Sequence, residues 1–340
     1  LVWASSVRAR IPEWADDLSF WGDAAEKEPN HGIPHLHYGM ALATQLRGLN
    51  AEAFRLRGWT GGEQEAEPSP EDLKRADELA AEARELDLAA EAAYLRAWQV
   101  YDDNEGRFLT SNNLGTLLMG RGGHLTTEGR NEEDPDRKEE LLRSAQAEYD
   151  KAVAQFRRAI RIQPSYHKAR FNWGTTESNL AGLARLRGDL PDYTTHFDRV
   201  LPLYEEAIKF NPRYYKAYAA RAGLLLSRRL PGQALEAYEL AARWAGSESD
   251  RQRSRQGAAR AAQRFEGQPP DPGSRARLHL EQAERSRAQG RVFTATGLYW
   301  SAVRLDPELG RAWAAWGDLT GQWVANALSR GDVLQVLTSL

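Results

Sequence analysis

With 45 Lys and Arg against 48 Asp and Glu, the 340-residue chain has a formal charge of -3. That balance sets up no global field of the kind that draws a protein to nucleic acid or a membrane surface. It contains no cysteine, which excludes disulfides, thiolate nucleophiles and zinc–thiolate centres, and no run of roughly 18 apolar residues that spans a bilayer as a helix.

The chain opens on Leu1-Val2-Trp3-Ala4. This reads either as the last turn of a removed apolar segment, with Trp3 at interface depth, or as an ordinary helix cut short. Residues 1–31 are expected to form a helical lead-in, in which Trp21, Ala24 and Pro29 mark a helix end. Tyr38, Gly39 and Leu42 then begin the first helix of a pair, whose partner is expected over 70–88 with Ala76 and Ala83 at its small positions. Residues 58–69, rich in Gly, Glu and Pro, read as an exposed loop. Residues 101–130 fit one very long helix or two shorter ones, with Leu114, Gly115 and Leu118 on a helical face. The polar, glycine-rich stretch 120–137 is expected to be a second long interruption, of the sort usually functional or disordered.

From there a motif repeats. Ala152, Phe156, Ala159 and Pro164 place small, aromatic and small residues on one helical face and then stop the helix. Ala234, Tyr238 and Ala241 repeat the spacing, as do Ala295, Tyr299 and Ala302 with Pro307. This pattern resembles the second helix of a tetratricopeptide (TPR) repeat. Ala169, Trp173 and Gly174 match the first helix of such a unit, and Tyr204, Ala207 and Pro212 its second. Pro164 and Pro212 lie 48 residues apart, against about 34 in a plain unit, so the helices are expected to be longer around 186–191.

A regular unit follows over 215–248, with Ala217, Tyr218, Ala222 and a Leu230-Pro231-Gly232 turn. The helix over 250–265 finds no partner in this phase. Residues 267–274 form the sharpest breaker, and a sub-domain boundary is expected near Gly267. Another regular unit spans 276–309, turning at Gly290, and Ala312, Trp313, Trp316 and Gly317 start a further first helix. The apolar segment 333–340 reads as an incomplete cap or an interface. The organisation expected is thus irregular repeats over 32–266 and a C-terminal repeat with capping helices over 275–340. No period-two pattern of useful length occurs. The resemblance implies an all-α, TPR-like α-solenoid of about six imperfect helix-turn-helix units in a right-handed superhelix. Small residues such as Gly174 or Ala222 let helix backbones approach, and Phe156, Tyr204, Tyr238 or Tyr299 fills the space. On this reading leucine at Ala237 is far less disruptive than leucine at Ala241.

Sites for chemistry are few. His31, His35 and His37 cluster as H-x3-H-x-H, which suits a zinc, copper or nickel site. They fall at a loop-to-helix junction, where residues two apart point to different faces, and read better as helix-start polar residues. Gly120-Arg121-Gly122-Gly123-His124 looks like a phosphate cradle but lacks the strand before it and the Lys-Ser/Thr after it. Acid pairs such as Glu139 and Glu140 define no pocket, and no Ser-His-Asp arrangement stands out, so no catalysis and no cofactor are expected. Arg251, Arg253, Arg255, Arg260 and Arg264 give one helix a basic excess, a solvated face or a patch for an anionic partner such as nucleic acid, although no aromatics interleave to stack on bases. Arg330-Gly331-Asp332, an adhesion-like tripeptide, reads as coincidence.

The TPR resemblance instead implies a partner-binding inner groove. The second places of its units are Lys168, Lys216, Arg277 and Arg311; the fifth places include Phe171, Ala219, Leu280 and Ala314, with Asn172 beside them. This predicts a mildly basic, partly apolar groove for an extended protein or peptide segment with acidic groups. Ala219 and Gly223 replace residues that the chaperone-tail clamp of co-chaperone TPR domains requires. A narrower resemblance covers about 40 residues. Val7 through Tyr38-Gly39, with Trp14, Asp17, Trp21, Pro29 and His37, is similar to the junction between the membrane domain and TPR tail of membrane glycosyltransferases. It implies an extracytoplasmic tail that recruits acceptor or partner, and it carries over no catalytic residue. The leading expectation is a non-enzymatic scaffold, membrane-tethered and extracytoplasmic, or alternatively cytoplasmic. Self-association through uncapped solenoid ends is a further expectation.

Overall fold

Helix starts in this chain are set by short polar side chains. Asp16, Ser69, Asp103, Asp134, Asp189 and Ser247 each accept a hydrogen bond from the backbone N–H three residues on. This satisfies a donor that the helix itself leaves unpaired. Pro70, Pro135 and Pro231 occupy first helical positions, where a missing N–H costs nothing.

The computed structural model describes residues 16–59, 68–228, 230–264, 272–288 and 292–329. Among them lie thirteen helices and no strand: α1 Asp17–Lys27, α2 Gly32–Leu56, α3 Pro70–Val100, α4 Asn104–Asn131, α5 Pro135–Ile162, α6 His167–Arg187, α7 Leu190–Phe210, α8 Tyr215–Ser227, α9 Pro231–Trp244, α10 Glu248–Gln263, α11 Pro272–Ala288, α12 Val292–Leu305 and α13 Gly310–Ser329. The chain is all-α, and within each unit its helices pack mainly in adjacent pairs. Two compact units divide between Ala220 and Arg221. The break expected near Gly267 lies outside the described residues, as do the Gly290 turn, residues 330–340 and the first four residues.

In the first unit the tight pairs are α2–α3, α4–α5 and α6–α7, and each is closed by glycine against a ring. A Cβ on Gly39 would stand 2.7 Å from the Tyr94 ring, and one on Gly32 2.6 Å from Tyr101. On α4, Gly115 faces Phe156, Gly122 faces Tyr149 and Gly129 faces Leu142, at 2.7, 2.7 and 2.9 Å. Numbers rise on one helix as they fall on the other, so the pairs run antiparallel. Gly174 meets Tyr204 in the same way at 2.8 Å. α2 also touches α4, and α4 touches α6, so these three first helices form one layer, with their partners forming the other.

In the second unit α9 pairs with α10 and α11 with α12. Ala222, Leu225, Ala234, Ala237 and Ala261 make one core there. Leu280, Ala283, Ala295, Tyr299 and Ala302 make another.

Several expectations change. Residues 120–131 are not a loop: α4 runs unbroken to Asn131, and only Glu132–Asp134 interrupts before α5. Glycine's poor helix propensity is overridden because three glycines seven residues apart are the contact surface for α5. Thr126, Thr127 and Asn131 bond back to carbonyls four residues earlier, within the helix. The phosphate-cradle sequence is accordingly helix interior. The partner of α2 extends well beyond residue 88, to Val100, because Tyr94 and Tyr101 continue the contact. The 250–265 helix does have a partner: Gly257 of α10 receives the Tyr238 ring of α9. Ala237 is as fully buried as Ala241, at 0% exposure each, so leucine at either position meets a filled core. The added length near 186–191 does lie in longer helices, joined through Gly188 in the left-handed conformation at φ 74°.

Two neighbouring glycines give opposite expectations. A Cβ at Gly120 meets nothing within 4 Å, so Gly120→Ala should stabilise by up to about 1 kcal/mol through helix propensity. Gly122→Ala drives a methyl into the Tyr149 ring and should destabilise by about 1–3 kcal/mol. Urea titrations followed by circular dichroism read both signs.

Candidate functional site

The layer of first helices in the first unit carries a run of side chains that the core does not use. On α2, Met40, Thr44, Arg47, Asn50 and Phe54 recur at steps of three and four, which places them on one stripe. On α4, Asn113, Thr116, Gly120 and His124 do the same. Ala80, Ala83, Arg84 and Asp87 of α3 close the space between them, leaving a cavity of about 530 Å³. That lies within the roughly 300–1,000 Å³ typical of ligand-binding clefts.

One arginine holds the wall of this cavity. Arg121 donates Nε to Asp87 at 2.6 Å, Nη2 to Glu91 at 2.7 Å and Nη1 to Glu148 at 3.2 Å, so one guanidinium ties α4 to α3 and α5. Burial opposes its charge, but hydrogen bonds to Asp87 and Glu91, and the charges of both, more than offset this and raise its pKa. Glu148 also accepts Lys151 Nζ at 2.7 Å. Replacing Arg121 by Met removes the single cation shared by three partly buried carboxylates. It should cost about 2–4 kcal/mol, between the worth of exposed and buried pairs, in a urea titration.

At the far end His124 packs 5.0 Å from Phe54, and Phe54 lies 5.6 Å from Trp59. Burial pushes the His124 pKa below its ordinary 6.5, with the Asp87 charge pulling the other way. His167 is lowered too, by burial and then by Lys168. Both imidazoles therefore stay neutral in the fold at a pH where the unfolded chain already protonates. Their contribution to stability is complete above pH 6.5 and is lost as pH drops from there through the folded values. His124→Gln should flatten part of that slope, the remainder belonging to His167. Denaturation midpoints between neutral and mildly acidic pH report the change.

Another buried polar group joins α6 to α7. Glu177, 2% exposed, accepts Trp173 Nε1 at 2.8 Å and pairs with His196 Nδ1 at 2.6 Å; His196 Nε2 lies 3.4 Å from Asp192. Burial raises the pKa of nearby Asp150 on α5, against the pull of His196 and with the push of Glu177 and Asp192.

The residues singled out in the sequence fall apart spatially. Lys168 and Lys216 are exposed at the starts of α6 and α8. Phe171 spends its ring on Tyr204 and Tyr214, at 5.7 and 5.3 Å. Asn172 donates to Asn112 Oδ1 at 3.1 Å and to Thr116 Oγ1 at 3.3 Å, which links it to the wall of the cavity. Arg277 and Arg311 are exposed on α11 and α13 of the second unit. Leu280, expected to face a groove, is 8% exposed and belongs to the core with Tyr299, because α12 packs over it.

None of the three clustered histidines is oriented toward the others as a ligand set. His31 caps α2 without a side-chain bond, His35 Nε2 contacts the Pro29 carbonyl at 3.0 Å, and His37 stacks on Trp21 at 4.3 Å. Among the described residues no three His, Asp or Glu groups converge for a metal. At α10 three of the five arginines have carboxylate partners: Arg251 and Arg255 pair with Glu248, and Arg253 with Asp250. Those acids precede the arginine run, so the excess is smaller than the run alone suggests. The cavity residues of α2 and α4 were missed because a loop was expected where α4 continues. The polar and small residues at 113, 116, 120 and 124 are the signal that a helical reading exposes.

No protein-family model matches the chain, and no curated protein does. Among solved structures, TTC0263, a TPR protein of Thermus thermophilus, aligns over 71% of this chain and 94% of its own, at 13% identity and a TM-score of 0.35. YrrB, described as a TPR protein with an unusual peptide-binding site, aligns over 69% and 97%, at 16% identity and a TM-score of 0.27.

Proposed function

We propose that the chain is a non-catalytic interaction scaffold that binds an extended protein or peptide segment along the first-helix layer of its N-terminal unit. The observation that carries this reading is the cavity between α2, α3 and α4, whose lining is drawn from the helices that share one layer and from the α3 partner behind them. Helix-pair solenoids commonly use such extended surfaces for recognition. Asn172 of α6 bonds to the cavity wall, and exposed Lys168 and Lys216, at the starts of α6 and α8, favour acidic groups in the partner. Phe171 supplies a partly buried ring beside them. Arg277 and Arg311 serve the same reading within the second unit. Arg121 at the cavity wall and the Glu177–His196 pair between α6 and α7 are engaged in joining helices rather than positioned for proton transfer.

The other readings have less behind them. Anion binding through the α10 arginines competes with Glu248 and Asp250. A role as the extracytoplasmic, membrane-tethered tail of a glycosyltransferase rests on residues 7–39, of which 7–15 lie outside the described set; Trp21, His37 and Gly39 have packing roles. Among the described residues no helix is long and apolar enough to cross a membrane.

Affinity capture from extract of the native source, comparing wild type with Lys168→Glu/Lys216→Glu, tests the scaffold reading. A partner held by wild type and lost by a variant with unchanged circular dichroism is the expected result. An unchanged partner set excludes the lysine-lined stretch as the binding surface.

A further inference from the structure

The cavity has a chemical character that narrows its occupant. Its walls include Met40, Leu46, Phe54, Leu117 and Leu125, an apolar space larger than the surrounding side chains fill. Charges at the cavity are unequally committed: of its acids, Asp87 is held by Arg121, and Glu128 forms no ion pair among the described residues. Arg57 is paired with Asp77 at 2.6 Å, and Arg121 with its three carboxylates. Arg47 and Arg84, both exposed and both lining the cavity, form no ion pair among the described residues; Arg47 only donates to Thr44 Oγ1 at 2.9 Å. Arg47 belongs to α2 and Arg84 to α3, so cations stand on two different walls.

Two amides complete the arrangement. Asn50 on α2 and Asn113 on α4 also line the cavity. The Asn113 carbonyl accepts from Asn112 at 3.3 Å, which leaves its amide group as a donor, and Asn50 makes no hydrogen bond among the described residues. A side-chain amide donates and accepts in the same way as a peptide bond, so a pair of them suits a polypeptide main chain.

Resting on the groove reading above, we infer that this cavity seats one bulky apolar side chain of a partner peptide. Asn50 and Asn113 hold the peptide main chain, and Arg47 and Arg84 receive carboxylates flanking the anchor residue. The ligand class is thus an acidic segment with a single buried hydrophobic anchor. The apolar walls supply the desolvated centre that dominates recognition, and the arginines set which sequences are accepted.

The test uses the full chain and a fluorescein-labelled Gly/Ser peptide carrying one phenylalanine between paired glutamates, read by fluorescence anisotropy. Wild type is expected to bind it. Replacing the phenylalanine of the peptide by glycine, or the chain's Arg47→Glu/Arg84→Glu, should each weaken binding by about tenfold or more. Thr44→Trp, which places a ring at the cavity wall from an exposed position, should block the probe while circular dichroism stays unchanged.

A wild type that ignores the probe overturns the inference, as does equal binding of the glycine peptide. Binding that survives both cavity variants yet falls with Lys168→Glu/Lys216→Glu keeps the groove reading and overturns the cavity. Binding that falls with the cavity variants alone supports the cavity and overturns the role of the lysines on α6 and α8.

Discussion

The close approach of glycine to a ring is the constraint on which the first unit depends. Helix axes separate according to the side chains between them, and a missing Cβ lets a neighbouring ring lie against the backbone. Here the device is repeated at helical register: 115, 122 and 129 on α4 against 156, 149 and 142 on α5. Each step of seven returns to nearly the same face, so one pair of helices is fixed in rotation, offset and direction at once. A shift by a single residue would swing Phe156, Tyr149 and Leu142 off their glycines. That specificity lets α4 carry glycines and threonines that would otherwise argue for a loop, such as Gly120, Gly123 and Thr127.

Long pairs have a consequence for the surface. Because α3 and α4 run far past the length of a plain repeat helix, α2, α3 and α4 leave a space between them that short helices would not enclose. Beside it Arg121 ties Asp87 and Glu91 of α3 and Glu148 of α5 to α4. A planar guanidinium with five donors can address three carboxylates in different directions, which a lysine ammonium does with less geometric definition. The Glu177–His196 contact joins α6 and α7 by the same logic at a buried position.

These commitments also sort the charges. Cations that meet acids from a neighbouring helix act as fasteners, and their removal is a matter of stability. Arg47 and Arg84 on the cavity walls form no ion pair among the described residues. Composition cannot make this distinction, since all four cavity arginines are the same residue type within a nearly neutral chain.

Much of the architecture was legible in the residues themselves. Ala152, Phe156, Ala159 and Pro164 announce a packed helix and its end because periodicity and a missing N–H act locally. Ser69-Pro70 and Asp134-Pro135 mark helix starts for the same reason, and the 48-residue spacing from Pro164 to Pro212 foretold longer helices. What the residues did not disclose depends on partners distant in sequence. Whether 120–131 is loop or helix was decided by Tyr149 and Leu142 of α5, whether Ala237 is free by Ala222 and Ala261, and whether Leu280 faces outward by α12. The proposed binding surface belongs to this second class. Local chemistry determined where helices form and which faces are small or large; only the assembled helices decided which arginines are spent, because an ion pair or a cavity exists only when separate segments meet.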